Sequence, residues 1–550
     1  MSSALSLDAR APFLDVRAPT RRRLRVPLLL GVFVVLSFGL DVRGTLGTDT
    51  GGKLATLEEM DRHSTLVPDV GYWAAQFDPD AAAHPLYYTQ RFADGYVNVT
   101  TLPMLLAARP LDAVGGTRLV LLLPILGGVL AAVGARRLAV RFGSIRPDVV
   151  FWIVGLASPT LIYSLDVWEH SLGLGLMALG VDSAFALLDG RSIRHGFGVG
   201  LAFGAAATMR TEALLYLAIV GAIVAIALWG RSRRAVPVAL ASIGFGAAAP
   251  LGLNELVERA LLGDPLRSAR ASDTLASGGL RIADRFDEGL RTTVGLNLTQ
   301  HDVASGALLV VALVVGGAAM VRSRRTVARF ALASATLLLG LRMTIGFGFV
   351  SGMVTALPVA AFAAVAPSRR LRTVAACSLA ALPAVWSLQY LGGAGPQWGG
   401  RYVLLPGLLL GVVGLIAIER AEPSLRRWGI GLSVAVTLFG FLGLVERTHA
   451  VADAGQRLAA FDDGVVISTE AHLFREVGSE YRRDRRWLTA VGPEASAIVG
   501  DLLRELRPAS FAVITRGATI DVPRGYVRWD ESIDFLGVDF VVRHYVRGVA

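Results

Sequence analysis

The stretch Gly47-Thr48-Asp49-Thr50-Gly51-Gly52-Lys53 follows directly on the first apolar run of the chain. So short a tether to a membrane-crossing segment would hold Asp49 near the bilayer surface. Glycines and threonines on either side let a backbone approach a ligand closely. A carboxylate in that setting can take a proton from a hydroxyl group. The plainer alternative is an aspartate that shapes a turn. Lys53 is the only lysine in a chain that otherwise uses arginine, which suits a phosphate contact as well as chance.

Further polar residues stand at the ends of later apolar runs. Asp166, Trp168, Glu169 and His170 fall in one short connection, Arg210 and Glu212 in another, and Gln397, Trp398 and Arg401 just before a late run, while Arg342 closes an intermediate one. Arginine presents a planar fork that donates in pairs to phosphate, so Arg210 and Arg401, with His170, are candidates to balance a phosphate. Glu169 and Glu212 would hold these cations in place or bind hydroxyls. Taken singly, each is equally a snorkelling residue at a helix end, Arg210–Glu212 a structural ion pair, and Trp398 a member of an interfacial aromatic belt. Their shared placement favours one site. His84 and Tyr87 in Ala83-His84-Pro85-Leu86-Tyr87-Tyr88 are weaker candidates for substrate contact, and Asp78 reads as a turn former. The chain has no phosphate-binding lysine loop and no His-Glu-x-x-His zinc motif; Asn98-Val99-Thr100 and Asn297-Leu298-Thr299 match a glycosylation triplet that is common by chance.

These positions require a membrane framework. Hydrophobic residues make up 53% of the 550 and charged residues 18%, against about a quarter charged in soluble chains. The apolar residues come in uncharged runs long enough to cross hydrocarbon as helix. About thirteen such runs are read as spans: Val26–Leu40, Leu119–Ala135, Val149–Leu165, Ser171–Leu188, Gly196–Met209, Ala213–Trp229, Val236–Leu253, Ala304–Val321, Phe330–Ile345, Phe349–Ala366, Val374–Leu391, Tyr402–Ile418 and Trp428–Val445. No small-residue cleavage site follows Leu40, so the first is an uncleaved helix. Val97–Leu111 is short and closed by Arg109 and Asp112, and reads as interfacial or re-entrant.

A net charge of +10 would point to nucleic acid in a soluble chain. Here the arginines cluster before Val26, at 136–146, at 191–194, at 231–234, at 322–325, at 369–372 and at 420–427. Every cluster falls in an alternate connection. The positive-inside rule then puts all of them in the cytoplasm, and puts Asp49, Glu169, Arg210 and Trp398 outside. The expected organisation is a cytoplasmic segment over 1–25, a transmembrane module over 26–445 with large outer loops near 41–116 and 254–303, and a soluble extracytoplasmic α/β domain over 446–550. That tail alternates strand-like runs (Gly464–Thr469, Phe511–Thr515, Phe535–Val542) with helix-like ones (Ala471–Arg483, Glu494–Leu506). The lone Cys377 permits no intrachain disulfide or thiolate metal site. Arginine, alanine and glycine abundance suggests a GC-rich bacterial source and the plasma (inner) membrane.

An acid just after the first helix, an Arg-x-Glu after a later one, Gly263-Asp264-Pro265-Leu266 opening the second large loop, Gln397-Trp398-Gly399-Gly400-Arg401-Tyr402 followed by Leu404-Leu405-Pro406, and a closing soluble tail resemble the GT-C superfamily of membrane glycosyltransferases. The likeness is to the polyprenyl-phosphate-sugar-dependent mannosyl-, arabinosyl- and aminoarabinose-transferases, and it spans most of residues 24 to 445. It implies an all-α polytopic fold of GT-C type with a small α/β tail, and a lipid-linked sugar as donor. It further implies inverting transfer to a cell-wall or envelope glycan, glycolipid or protein, with Asp49 as general base and no metal or other cofactor. Lys53, His84, Glu169, His170, Arg210, Glu212, Gln397, Trp398 and Arg401 would contact substrate. One departure is that several relatives carry adjacent acids in the first loop, whereas Asp49 is followed by Thr50 and the pair Glu58-Glu59 lies farther on. The runner-up is a lipid-linked saccharide flippase or other transporter, which would need ionisable or broken-helix sites near the midplane. The spans have uncharged centres except at Asp182, and paired broken helices are not expected. A non-catalytic scaffold is the third reading.

Overall fold

The computed structural model describes residues 24–550 apart from 94, 99–100, 191, 267–281, 298–300, 347, 389–397, 536–537 and 549–550. The chain begins with α1 (Arg25–Ser37) and α2 (Thr48–Arg62), then a hairpin of β1 (Thr89–Phe92) and β2 (Gly95–Asn98). Helices follow: α3 (Leu102–Val120), α4 (Leu122–Arg141), α5 (Pro147–Leu156), α6 (Pro159–Ser164), α7 (His170–Leu188), α8 (Arg194–Met209), α9 (Glu212–Trp229) and α10 (Ala235–Leu262). They continue as α11 (Ile282–Val294), α12 (His301–Val321), α13 (Arg325–Met343), α14 (Met353–Ala356), α15 (Arg369–Leu388), α16 (Leu404–Ala417) and α17 (Pro423–Ala459). Seven of these, α4, α7, α9, α10, α12, α13 and α17, are long and apolar enough to cross a membrane. The protein is a multi-pass helical membrane protein with a small sheet domain at its C-terminal end.

Small residues let the helices approach. A Cβ on Gly127 of α4 would fall 2.2 Å from the Leu172 backbone of α7, and one on Gly200 of α8 would fall 1.9 Å from the Ile243 carbonyl of α10. Such close backbone contact is how helices associate where lipid supplies no hydrophobic drive.

Two of the expected spans are interrupted, against the sequence expectation. Val149–Leu165 breaks at Ala157-Ser158, where Ser158 caps α6 by accepting from the Thr160 amide and Pro159 takes the first helical position. Phe349–Ala366 becomes the one-turn α14 followed by a 3-10 stretch, Pro358–Val365. Proline removes a helix-interior donor and pushes its predecessor out of helical geometry, which accounts for both breaks. They flank one apolar recess of about 310 Å³, lined by Ser158, Pro159, Met353, Leu357, Gly399 and Leu408 among others.

The arginine-rich turns meet at one end of the bundle. Arg25 and Arg136 share Asp148, Arg141 bridges Asp182 and Asp189, Arg370 reaches Asp189 at 3.8 Å, and Arg325 pairs with Glu422. Asp182, the acid that the sequence places within an otherwise uncharged run, is thus spent on Arg137 and Arg141.

At the opposite end lies the sheet domain, with strand order β4-β3-β5-β7-β6. It comprises β3 (Val466–Ser468), α18 (Leu473–Glu476), β4 (Trp487–Thr489), α19 (Gly492–Leu506), β5 (Ser510–Thr515), β6 (Tyr526–Phe535) and β7 (Val538–Arg547). β3 runs parallel to β4 and β5, and the other pairings are antiparallel. Two boundaries differ from the sequence expectation. Residue 446 lies inside α17, which continues to Ala459 because Thr448, Val451, Ala452, Gly455 and Leu458 keep a buried stripe at helical spacing. The expected helix over 471–483 is only α18 and a 3-10 turn, Gly478–Glu480. The first outer loop and the tail also share one core: Ala55, Val70, Tyr72, Leu86 and Tyr96 pack with Val466, Phe474, Trp487 and Leu503.

Candidate active site

Asp49 occupies the first turn of α2, where the helix N-terminus favours a carboxylate. Its position is set from below by Asp166, which accepts from the Leu46 amide at 3.2 Å and from Thr50 Oγ1 at 2.5 Å. The glycines beside Asp49 do face a close backbone, but it is the tail's own. A Cβ on Gly51 would lie 1.9 Å from the Arg475 carbonyl, and one on Gly478 would lie 2.0 Å from the Gly51 carbonyl. The glycine pair therefore lets the tail lie directly on α2.

The tail delivers Arg475. Its side chain is 2% exposed, and Nη1 donates to Asp49 Oδ1 at 2.9 Å and to Thr48 Oγ1 at 3.2 Å. Its Nε donates to Asn98 Oδ1 at 3.1 Å, and the guanidinium lies over Tyr88. From the other side Arg401 Nη1 reaches Asp49 Oδ2 at 3.4 Å. Asp49 nonetheless keeps 37% of its side-chain surface open while the side chains of Arg475 and Arg401 are buried. Burial alone would raise its carboxyl, but Arg475, Arg401 and Lys53 outweigh it and hold Asp49 well below the usual carboxylate range.

A second set of ion pairs adjoins the first. Lys53 Nζ pairs with Glu169 Oε2 at 2.8 Å, Arg210 Nη1 approaches Glu169 Oε1 at 3.5 Å, and Arg210 Nε pairs with Glu212 at 2.9 Å. Tyr402 links the sets: the guanidinium of Arg210 stands 5.3 Å over its ring and that of Arg401 4.5 Å. Arg401 also lies over Trp168. Burial opposes charge on Glu169, yet Lys53 and Arg210 keep its carboxyl below the ordinary value. Burial opposes charge on Arg210 too, and Glu212 and Glu169 reverse it. Burial pushes Asp166 up to about 6, against the hydrogen bonds from Thr50 and the Leu46 amide and, at longer range, Lys53 and Arg447.

Four cations (Lys53, Arg210, Arg401, Arg475) thus meet the carboxylates of Asp49, Glu169 and Glu212 in one cluster, with Asp166 directly beside it. Several buried polar atoms beside it have no partner among the described residues: Arg401 Nε, both ring nitrogens of His170, the indole nitrogens of Trp168 and Trp398, and Glu212 Oε2. His170 stacks on Tyr163 at 4.8 Å, and Tyr163 donates to the Trp398 carbonyl at 2.7 Å. Buried polar groups are normally satisfied, so a concentration of unsatisfied ones next to several clustered cations suits an anionic, hydroxyl-rich ligand.

Of the residues singled out in the sequence, Asp49, Lys53, Glu169, His170, Arg210, Glu212, Trp398 and Arg401 come together here. Gln397 lies outside the described residues. His84 stands apart in the loop–tail core, where Nε2 meets the Gly71 carbonyl and Nδ1 accepts from the Leu86 amide; burial lowers its pKa to about 4. That leaves His84 without a free nitrogen for substrate. Arg342 is spent on the carbonyls of Leu296 and Gly346. Glu59 pairs with Arg483 at 2.8 Å, and Glu58 with Arg62 at 3.0 Å and, more loosely, Arg482. The adjacent acids therefore fasten the tail and take no part in the Asp49 cluster. Sequence reasoning missed Arg475, Asn98 and Tyr402. Nothing in the local sequence marks Arg475, which lies in an arginine-rich stretch and meets Asp49 only through the fold.

The architecture and this cluster define a multi-pass membrane protein with a charged site at one end of its helical bundle. Among solved structures it is similar to ArnT from Cupriavidus metallidurans, both bound to undecaprenyl phosphate (12% identity, 94% of this chain and 97% of that chain covered, TM-score 0.48) and in the apo state (11% identity, 95% and 98% covered, TM-score 0.48). No family model and no curated protein matches the chain. At this identity and superposition the functional reading is drawn from the side chains themselves.

Proposed function

We propose that the protein is a membrane glycosyltransferase that moves a sugar from a polyprenyl-phosphate donor to an acceptor on the non-cytoplasmic side. The observation that carries this reading is the open carboxylate of Asp49 set between the buried cations Arg401 and Arg475 at the end of the bundle remote from the arginine-rich turns. ArnT is a protein seen with undecaprenyl phosphate; the same ligand class is proposed here on the strength of this chain's own cations.

A lipid-linked donor cannot leave the bilayer, so its phosphate stays at headgroup level, where helix-end cations can meet it. Arg401, with Nε unpartnered and Nη1 only loosely on Asp49, can turn its fork to the phosphate. The acceptor hydroxyl attacks the anomeric carbon from the opposite face and its proton passes to Asp49. The bond from the anomeric carbon to the phosphate oxygen breaks, and polyprenyl phosphate leaves with the electron pair, giving inversion. Electrostatic stabilisation of that leaving charge is the larger part of such catalysis. Because the cations supply it, the scheme includes no metal. The arginine-rich end lies in the cytoplasm under the positive-inside rule.

The two broken segments favour a second reading, movement of a lipid-linked saccharide. Against it, the Ser158 hydroxyl at the first break donates to the Val154 carbonyl and accepts from the Thr160 amide, and the ionisable residues gather at the bundle end. Incubating purified protein with labelled polyprenyl-phosphate sugars separates the two. A transferase forms a new glycosidic bond that Asp49→Asn reduces by at least about a thousandfold while the protein remains folded, as expected for loss of base catalysis in a preorganised site. Undiminished transfer by Asp49→Asn removes it as base, and saccharide movement in vesicles without bond formation supports the transporter.

A further inference from the structure

From the position of Arg475 we infer that the C-terminal domain completes the active site: Arg475 is a positioning residue that fixes Asp49 Oδ1, leaving Oδ2 to take the acceptor's proton. This rests on the glycosyl-transfer reading above and adds to it a role for the tail.

The geometry separates the two oxygens of Asp49. Oδ1 is held by Arg475 at 2.9 Å, and Arg475 is itself fixed at Nε by Asn98. Asn98 is fully buried and oriented by the Leu86 and Tyr87 carbonyls and Thr89, so it is a bracket for Arg475 rather than a glycosylation acceptor. Oδ2 meets only the longer contact to Arg401, a cation with a competing use in the phosphate. A carboxylate gripped at one oxygen and loosely opposed at the other has one defined proton-accepting position, which is what an oriented base requires.

Docking of the tail does not depend on Arg475. Trp73 Nε1 donates to the Trp487 carbonyl, the Thr489 amide to the Ala83 carbonyl, Tyr481 to the Val70 and Gly71 carbonyls, and Arg483 to Glu59. The tail can therefore stay seated when Arg475 is changed.

The charged and titratable groups facing Asp49 are Lys53 on its own helix, Arg401 and Tyr402 ahead of α16, and His472 and Arg475 on the tail. Burial first, then Arg475, lowers His472, so it is neutral at working pH. Loss of the Arg475 guanidinium raises the Asp49 carboxyl, because a close opposite charge favours the ionised form. The acidic limb of the pH–rate profile, which requires ionised Asp49, must then move to higher pH.

The test uses the full-length protein and the variants Arg475→Gln and Glu59→Gln, the second loosening the tail without touching Asp49. Two readouts are followed against pH: sugar transfer from a labelled polyprenyl-phosphate donor, and carbodiimide labelling of Asp49 read by mass spectrometry, which reports its protonation without turnover. In the unaltered protein Asp49 is expected to stay ionised and unlabelled down to the lowest pH at which the protein remains folded; for Arg475→Gln both midpoints are expected to rise toward the ordinary carboxylate range and become measurable, with kcat falling more than donor KM changes. For Glu59→Gln both midpoints stay in place. A uniform rate loss in Arg475→Gln with both midpoints unmoved, or an equal shift in Glu59→Gln, overturns the positioning role. Absence of transfer by the unaltered protein overturns the glycosyl-transfer reading instead, and the labelling midpoints still decide the position of Arg475.

Discussion

Glu169 holds two buried cations at once, Lys53 at 2.8 Å and Arg210 at 3.5 Å, with its own side chain 5% exposed. Removing one partner of a buried ion pair leaves uncompensated charge, at a cost of about 3–5 kcal/mol. Glu169→Gln is therefore expected to lower the thermal midpoint in detergent sharply. The corresponding change at Glu58, which is 41% exposed and sits at the surface with Arg62, is expected to leave the midpoint near that of the unaltered protein. Residues at the ends of uncharged runs, such as Asp49, Glu169, Arg210 and Arg401, were legible in the sequence because burying charge there is costly and demands partners. His84 misled because a histidine among aromatics looks the same on the page whether its nitrogens serve a ligand or the backbone. Arg475 was illegible for a different reason: it lies 426 positions from Asp49 in sequence, and only the docking of the tail brings the two together.

Among the elements, α2 is the one on which the site turns. It carries Asp49 and Lys53 into the charged cluster and Glu59 toward the tail, and its glycines are read correctly as permitting close approach but wrongly as facing a ligand. Gly51→Ala tests this directly. The added methyl would stand 1.9 Å from the Arg475 carbonyl and 2.9 Å from that of Glu476, and backbone cannot yield as a side-chain tip does. A destabilisation of roughly 1–3 kcal/mol is expected, visible as faster proteolysis between α17 and β3 together with loss of transfer. An unchanged digestion pattern would mean that the tail does not rest on α2. The apolar runs were readable as helices from length and charge, whereas the breaks at Ser158 and around Pro358 were not, because proline near a run's middle both kinks and terminates helices and neighbours decide which.

At the scale of the molecule, the ends of the bundle differ in charge logic. One gathers arginines around Asp148, Asp182, Asp189 and Glu422 as structural pairs. The other carries the open carboxylate of Asp49 and its cation partners beneath a loop–tail unit with a shared core. The alternation of arginine clusters along the sequence anticipated this division. The sharing of a core between residues 55–96 and 466–503 did not show, since neither segment alone has a hydrophobic pattern that names its partner. The most direct test of the central claim is a structure of the protein with polyprenyl monophosphate bound. The account predicts the phosphate beside Arg401, within hydrogen-bonding distance of its guanidinium and adjacent to Asp49. A phosphate bound instead among the arginine-rich turns at the other end of the bundle would contradict it.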